Sequence, residues 1–139
     1  MPQRRTPAQT YALVIGVTLA VAGFVGFFYN ASFGSGDGTE RAAVLGVLDV
    51  NGWHNLVHLG SGLAGLAVAR SYGGSRSYAL AFGGTYLLVA IIGLIAGDGE
   101  ELFNLIPVNS EDNVLHLLLG LAGIAAGLST PATPAPSTA

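Results

Sequence analysis

"NGWHNLVHLGSGLAG" occupies Asn51–Gly65, and "NSEDNVLHLLLGLAG" occupies Asn109–Gly123, 58 positions further on. Laid over one another they share N-x-x-H-L-x-x-G-L-A-G: Asn55, His58, Gly62 and Gly65 fall on Asn113, His116, Gly120 and Gly123. Val50-Asn51 falls on Val108-Asn109 at the same offset. Apolar helices resemble one another by chance, but polar residues held at fixed spacing within them do not. The chain therefore reads as two copies of one unit. The stretch preceding each motif matches more weakly, "YALVIGVT" from Tyr11 against "YALAFGGT" from Tyr78, and the longer first loop absorbs the change of offset.

Outward from the motifs the chain is almost free of charge. Crossing a hydrocarbon core takes about 20 apolar residues. Four stretches approach that length without Asp, Glu, Lys or Arg: Thr10–Tyr29, Trp53–Ala69, Tyr78–Gly97 and Asn113–Ser129. The first is longer than the apolar core of a secretory signal and lacks a clear small-residue cleavage site, so it reads as a helix of the protein. Over all 139 residues only 9% are charged, against about 25% in ordinary soluble domains. The predicted fold is all-α, a four-helix transmembrane bundle of two parallel helical hairpins. Residues 1–129 form one domain, with repeats at 10–70 and 77–129, and 130–139 are a flexible Pro/Ala/Thr/Ser tail.

The charges orient the bundle. Arg4 and Arg5 precede the first span, and Arg70 and Arg76 flank the segment "SYGGSRS" between the second and third. The positive-inside rule puts these segments and both termini in the cytoplasm. All eight acidic residues then lie outside, with Arg41 as the one arginine there. Trp53 and Tyr29 suit the outer interface, and Tyr11, Tyr72 and Tyr78 the inner one. The outer loops "TERAAVLGVLDV" and "DGEELFNLIPV" begin with possible caps, Thr39 and Asp98, and are expected to form short helices lying on the membrane. The expected location is a bacterial inner membrane, multi-pass, with lipid as the main surroundings.

The repeated motif also resembles a bacterial four-helix integral membrane family catalogued only as a domain of unknown function. The likeness extends from about Tyr11 to Ser129 and rests on the two histidine motifs. It implies a four-helix membrane protein and supplies no activity, cofactor or catalytic residue.

Chemistry has few residues to use. With no cysteine, disulfides, thiolate metal sites and cysteine nucleophiles are excluded. Five arginines, no lysine and a net charge of −3 leave no nucleic-acid surface. No nucleophile motif, phosphate loop or dinucleotide fingerprint occurs, so a non-catalytic role is expected. The three histidines remain. His54 and His58 share one helical face, and so do their repeat equivalents Asp112 and His116. If the two faces meet, three imidazoles and a carboxylate converge as candidate ligands for zinc, iron or copper. Gly62 and Gly120, one turn further in, either admit close helix packing or leave room for a haem or other tetrapyrrole on His58 and His116.

The structural alternative is equally concrete, with neutral histidines acting as interhelical hydrogen-bonding groups and Asn51 and Asn109 as helix caps. The functional expectation is an accessory or scaffold bundle in a homo-oligomer or a larger membrane complex. Metal or tetrapyrrole binding is the first alternative, and proton or small-solute transport the second. An inverted repeat would favour transport, but these hairpins run parallel.

Overall fold

The computed structural model describes residues 4–97 and 100–133. Its helices are α1 (Pro7–Gly26), α2 (Gly52–Val68), α3 (Tyr72–Ala96) and α4 (Ser110–Ser129). Three of them, α1, α3 and α4, are long and apolar enough to cross a membrane. At 17 residues α2 is the shortest. Of the expected tail, 134–139 lie outside the described residues.

Local chemistry accounts for the helix starts. Thr6 and Gln9 form a reciprocal capping box, and Pro7 occupies the first helical position, where no N–H is needed. Asn51 Oδ1 accepts from the His54 amide at 3.0 Å, and Asn109 Oδ1 from the Asp112 amide at 2.9 Å. Both asparagines are the caps that the sequence suggests. The segment "SYGGSRS" between the second and third spans provides the cap and first turns of α3. Ser71 Oγ accepts from Gly74 N–H at 3.1 Å and starts the helix six residues before Tyr78.

The bundle is inside-out relative to a soluble protein. Its buried α1 positions are Ala8, Tyr11, Ala12, Gly16, Leu19, Gly23 and Gly26, while Val14, Val17, Val21 and Phe24 face outward. On α3 and α4, Leu88, Ile91, Leu94, Leu118 and Leu121 likewise point away. Lipid is as apolar as leucine, so no transfer energy favours burying leucine between helices. Small residues that let backbones touch take the inside instead.

These small residues bring α1 against α2 and α3 against α4. A methyl group on Gly16 would lie 3.0 Å from the Gly62 carbonyl oxygen, and one on Gly83 would lie 3.0 Å from that of Gly120. The Asn55 side chain sits on Gly26, and Asn113 sits on Gly93 in the same way. Two tyrosines join the pairs. Tyr11 Oη donates to the Leu119 carbonyl of α4, and Tyr78 Oη donates to the Ser61 carbonyl of α2, each at 3.0 Å. Their rings lie 6.2 Å apart among Ala8, Ala12, Ala69 and Ala79.

At the other end, the two loop segments expected as surface helices form β-hairpins among the described residues. The first contains β1 (Ala42–Val44) antiparallel to β2 (Leu48–Val50), and the second β3 (Glu101–Leu102) antiparallel to β4 (Ile106–Pro107). Each hairpin reverses through two residues of positive φ, Leu45-Gly46 and Phe103-Asn104. Gly46 and Asn104 tolerate that conformation, each in the middle of a three-residue connection between its strands. The apolar spacing that suggested surface helices belongs to β-branched and leucine positions flanking these turns. Asp98, the expected cap of the second loop helix, lies outside the described residues. Arg41 ties the hairpins together, 3.8 Å from Asp49 and 3.7 Å from Glu101.

Candidate metal centre

The two hairpins and the first turns of α2 and α4 enclose the three histidines. Cap hydrogen bonds set the starts of both helices, and these starts set where each imidazole projects. One turn separates His54 from His58, so their rings stack edge to face with centroids 4.4 Å apart. His116 arrives from α4, its ring centroid 6.0 Å from that of His54 and 6.1 Å from that of His58. One nitrogen from each ring can be chosen so that all three lie within 4.8 Å of one another. His54 and His116 are buried, at 2% and 4% exposure, and His58 is half-buried.

This reverses the depth order expected from position along the helix. His54, nearer the helix start, is the more enclosed because the β1–β2 hairpin folds over it.

The hydrogen bonds assign the proton of His54. Its Nδ1 lies 2.8 Å from the Asp49 carbonyl oxygen, which only accepts, so Nδ1 carries the hydrogen. Nε2 then offers a lone pair toward the cluster, 3.2 Å from His58 Nε2. Metal-bound histidines are commonly oriented in this way, by an N–H donated to a carbonyl behind the ring. A tetrahedral ion with metal–nitrogen bonds of about 2.0–2.1 Å separates its ligand nitrogens by about 3.3 Å. The His54–His58 pair already has that spacing, and His116 is within a side-chain adjustment of it.

Asp112, the fourth expected ligand, is engaged elsewhere. Its Oδ2 accepts from the Asp49 amide at 3.0 Å and from the Asn109 amide at 3.4 Å. Together with His58 it lines a small cavity of about 80 Å³. The peptide of Asp49 is thus held twice, its N–H by Asp112 and its C=O by His54.

Gly62 and Gly120 are filled by packing. A methyl on Gly62 would collide with the backbone of Ala20, and one on Gly120 would come within 2.7 Å of Leu87 Cγ. Neither leaves room for a tetrapyrrole. The open space lies instead between α2, α3 and the β3–β4 hairpin, in a cavity of about 160 Å³ that reaches all three histidines. Tyr86, absent from the expected site, lines it, with its ring 5.3 Å from His116. The available signal was a phenol in the middle of an apolar span.

A family model described as a domain of unknown function (DUF4383) matches residues 9–129. The chain belongs to that family. No curated protein and no solved structure gives a match. In this DUF4383 domain the matched region includes all four helices, both hairpins and the three histidines.

Proposed function

We propose that this chain is a small multi-pass protein of the bacterial cytoplasmic membrane, with both termini inside, serving as an accessory bundle that holds one transition-metal ion on His54, His58 and His116. One observation carries the metal assignment: three imidazole nitrogens converge within 4.8 Å inside a largely buried cluster. Neutral imidazole suits zinc, copper, iron and nickel, and a cluster of three nitrogen donors without carboxylate oxygens disfavours calcium and magnesium. The tetrapyrrole alternative loses support because 160 Å³ is small beside ordinary ligand pockets of roughly 300–1,000 Å³.

The membrane assignment is supported by three apolar helices with leucine, isoleucine and valine facing outward, and the orientation by the arginine distribution. The repeated contacts of Gly26 with Asn55 and of Gly93 with Asn113, and the reciprocal tyrosine bonds, support two copies of one helical hairpin. The accessory role follows from the absence of any catalytic motif in the sequence. It includes self-association or a place in a larger membrane complex, through which a chain of four short spans gains buried surface.

Elemental analysis of protein purified in mild detergent without chelator tests the metal. About one equivalent of a first-row transition metal is expected, and a metal-free, folded protein that takes up none on addition would leave the histidines as interhelical hydrogen-bonding groups. Native mass spectrometry tests association, and a strict monomer with no co-purifying protein would remove that part.

A further inference from the structure

The cavity beside the histidines holds a buried hydroxyl that makes no hydrogen bond among the described residues. Its wall is mostly apolar, including Val57, Phe82, Val89 and Leu102. Two hydroxyls in it are already satisfied on their own helices: Ser61 Oγ donates to the Val57 carbonyl at 2.6 Å and Thr85 Oγ1 to that of Ala81 at 2.9 Å. Tyr86 differs. It is 6% exposed, and its hydroxyl makes no hydrogen bond among the described residues. The Ser61 hydroxyl approaches it, with its own hydrogen committed to the Val57 carbonyl. Buried hydroxyls are nearly always paired, and one that is not points to a partner from outside the chain.

The same cavity borders the candidate metal site. Three imidazoles leave a tetrahedral ion one open position, the arrangement of catalytic and ligand-accepting zinc sites rather than of closed structural ones. Asp112 does not fill that position, because its carboxylate is held by the amides of Asp49 and Asn109.

Resting on the metal reading above, we infer that the ion takes a small exogenous donor in this cavity and that the Tyr86 hydroxyl holds it by a hydrogen bond. Size and charge define its class. A cavity of about 160 Å³ accommodates only a few water-sized atoms, at about 30 Å³ for each water in the liquid. A divalent ion on three neutral imidazoles keeps its full charge within an apolar wall, where attraction to an anion is strong. The ligand is therefore a small monoanion such as hydroxide or azide, with water as its neutral counterpart. It offers one lone pair to the metal and a second to Tyr86. Tyr86 is a positioning residue, and it does not bind the ion.

Cobalt(II) and sodium azide serve as probes on the full chain in detergent micelles. Cobalt bound to three imidazoles has visible ligand-field bands that respond to the fourth ligand. Azide is expected to shift them saturably. Tyr86→Phe should retain cobalt affinity within about twofold and weaken azide binding by about tenfold, the effect of losing one hydrogen bond to a charged group.

Bands that azide leaves unchanged overturn this inference while cobalt binding itself sustains the metal reading. Equal azide affinity in wild type and Tyr86→Phe overturns the role of Tyr86. Loss of cobalt from Tyr86→Phe overturns it as well, because Tyr86 would then support the ion rather than its ligand. Failure of the wild-type chain to bind cobalt or any other transition metal overturns both readings together.

Discussion

Asn51 caps α2 with its Oδ1 and, through Nδ2, donates to the Leu105 carbonyl at 2.6 Å in the turn between β3 and β4. One buried side chain thus starts a helix of the first hairpin pair and holds the loop of the second. Asn109 does the converse, capping α4 and donating to the Val47 carbonyl at 2.6 Å. The roof over the histidines is fastened by this exchange.

Replacing either asparagine should therefore cost more than an ordinary cap. Loss of a cap costs about 1 kcal/mol, and a further hydrogen bond about 1 kcal/mol. Asn51→Ala and Asn109→Ala are each expected to lower stability by about 2 kcal/mol in reversible detergent unfolding. A change below about 0.5 kcal/mol in both would show that the hairpins are not held by these side chains.

Glycines on the two faces of α2 should respond oppositely. Gly62 packs on the Ala20 backbone, which has no flexible end to move aside, whereas a methyl group on Gly60 would meet nothing within 4 Å. Gly62→Ala is expected to destabilise by about 1–3 kcal/mol through overpacking. Gly60→Ala should be neutral or stabilising by up to about 1 kcal/mol, from helix propensity. Thermal unfolding of the two variants side by side checks the contrast, and equal behaviour would refute the packing.

For the candidate metal site, burial predicts that His54 matters as much as His58. His54→Ala, His58→Ala and His116→Ala should each weaken metal binding by more than roughly 100-fold, since even outer-shell changes at metal sites cost about 10–100-fold. Asp112→Asn should weaken it far less, because that side chain reaches the site only through the Asp49 peptide. Competition titration against a chelating dye measures all four, and retention of affinity by His54→Ala would remove His54 from the ligand set.

Orientation can be read by labelling. Gly73 is exposed at the start of α3, and Glu40 is exposed in the loop before β1. In this cysteine-free background, Gly73→Cys should react with impermeant maleimide only after the membrane is opened, and Glu40→Cys before. The reverse pattern would invert the topology.

Sequence alone placed the four long helices, in adjacent pairs, and the asparagine caps of α2 and α4. Those features arise from local and periodic chemistry: long uncharged runs, asparagines at helix starts, and polar residues recurring 58 positions apart. It also singled out the three histidines, because an imidazole in an apolar run stands out wherever its helix packs. What the β-hairpins would be was hidden, since Val, Leu and Ala at mixed spacing suit an amphipathic helix as well as a short strand pair. Only the fold shows that Leu45-Gly46 and Phe103-Asn104 turn the chain through positive φ. Only the tertiary structure decided which residues the candidate site brings together, too. Asp112 is the repeat partner of His54, yet the edge of β2 offers it the Asp49 amide and engages its carboxylate. Tyr86 joins because α3 packs where its phenol meets His116. Helix separation is likewise a tertiary property, and contacts as close as those of Gly62 with Ala20 close the space beside that glycine.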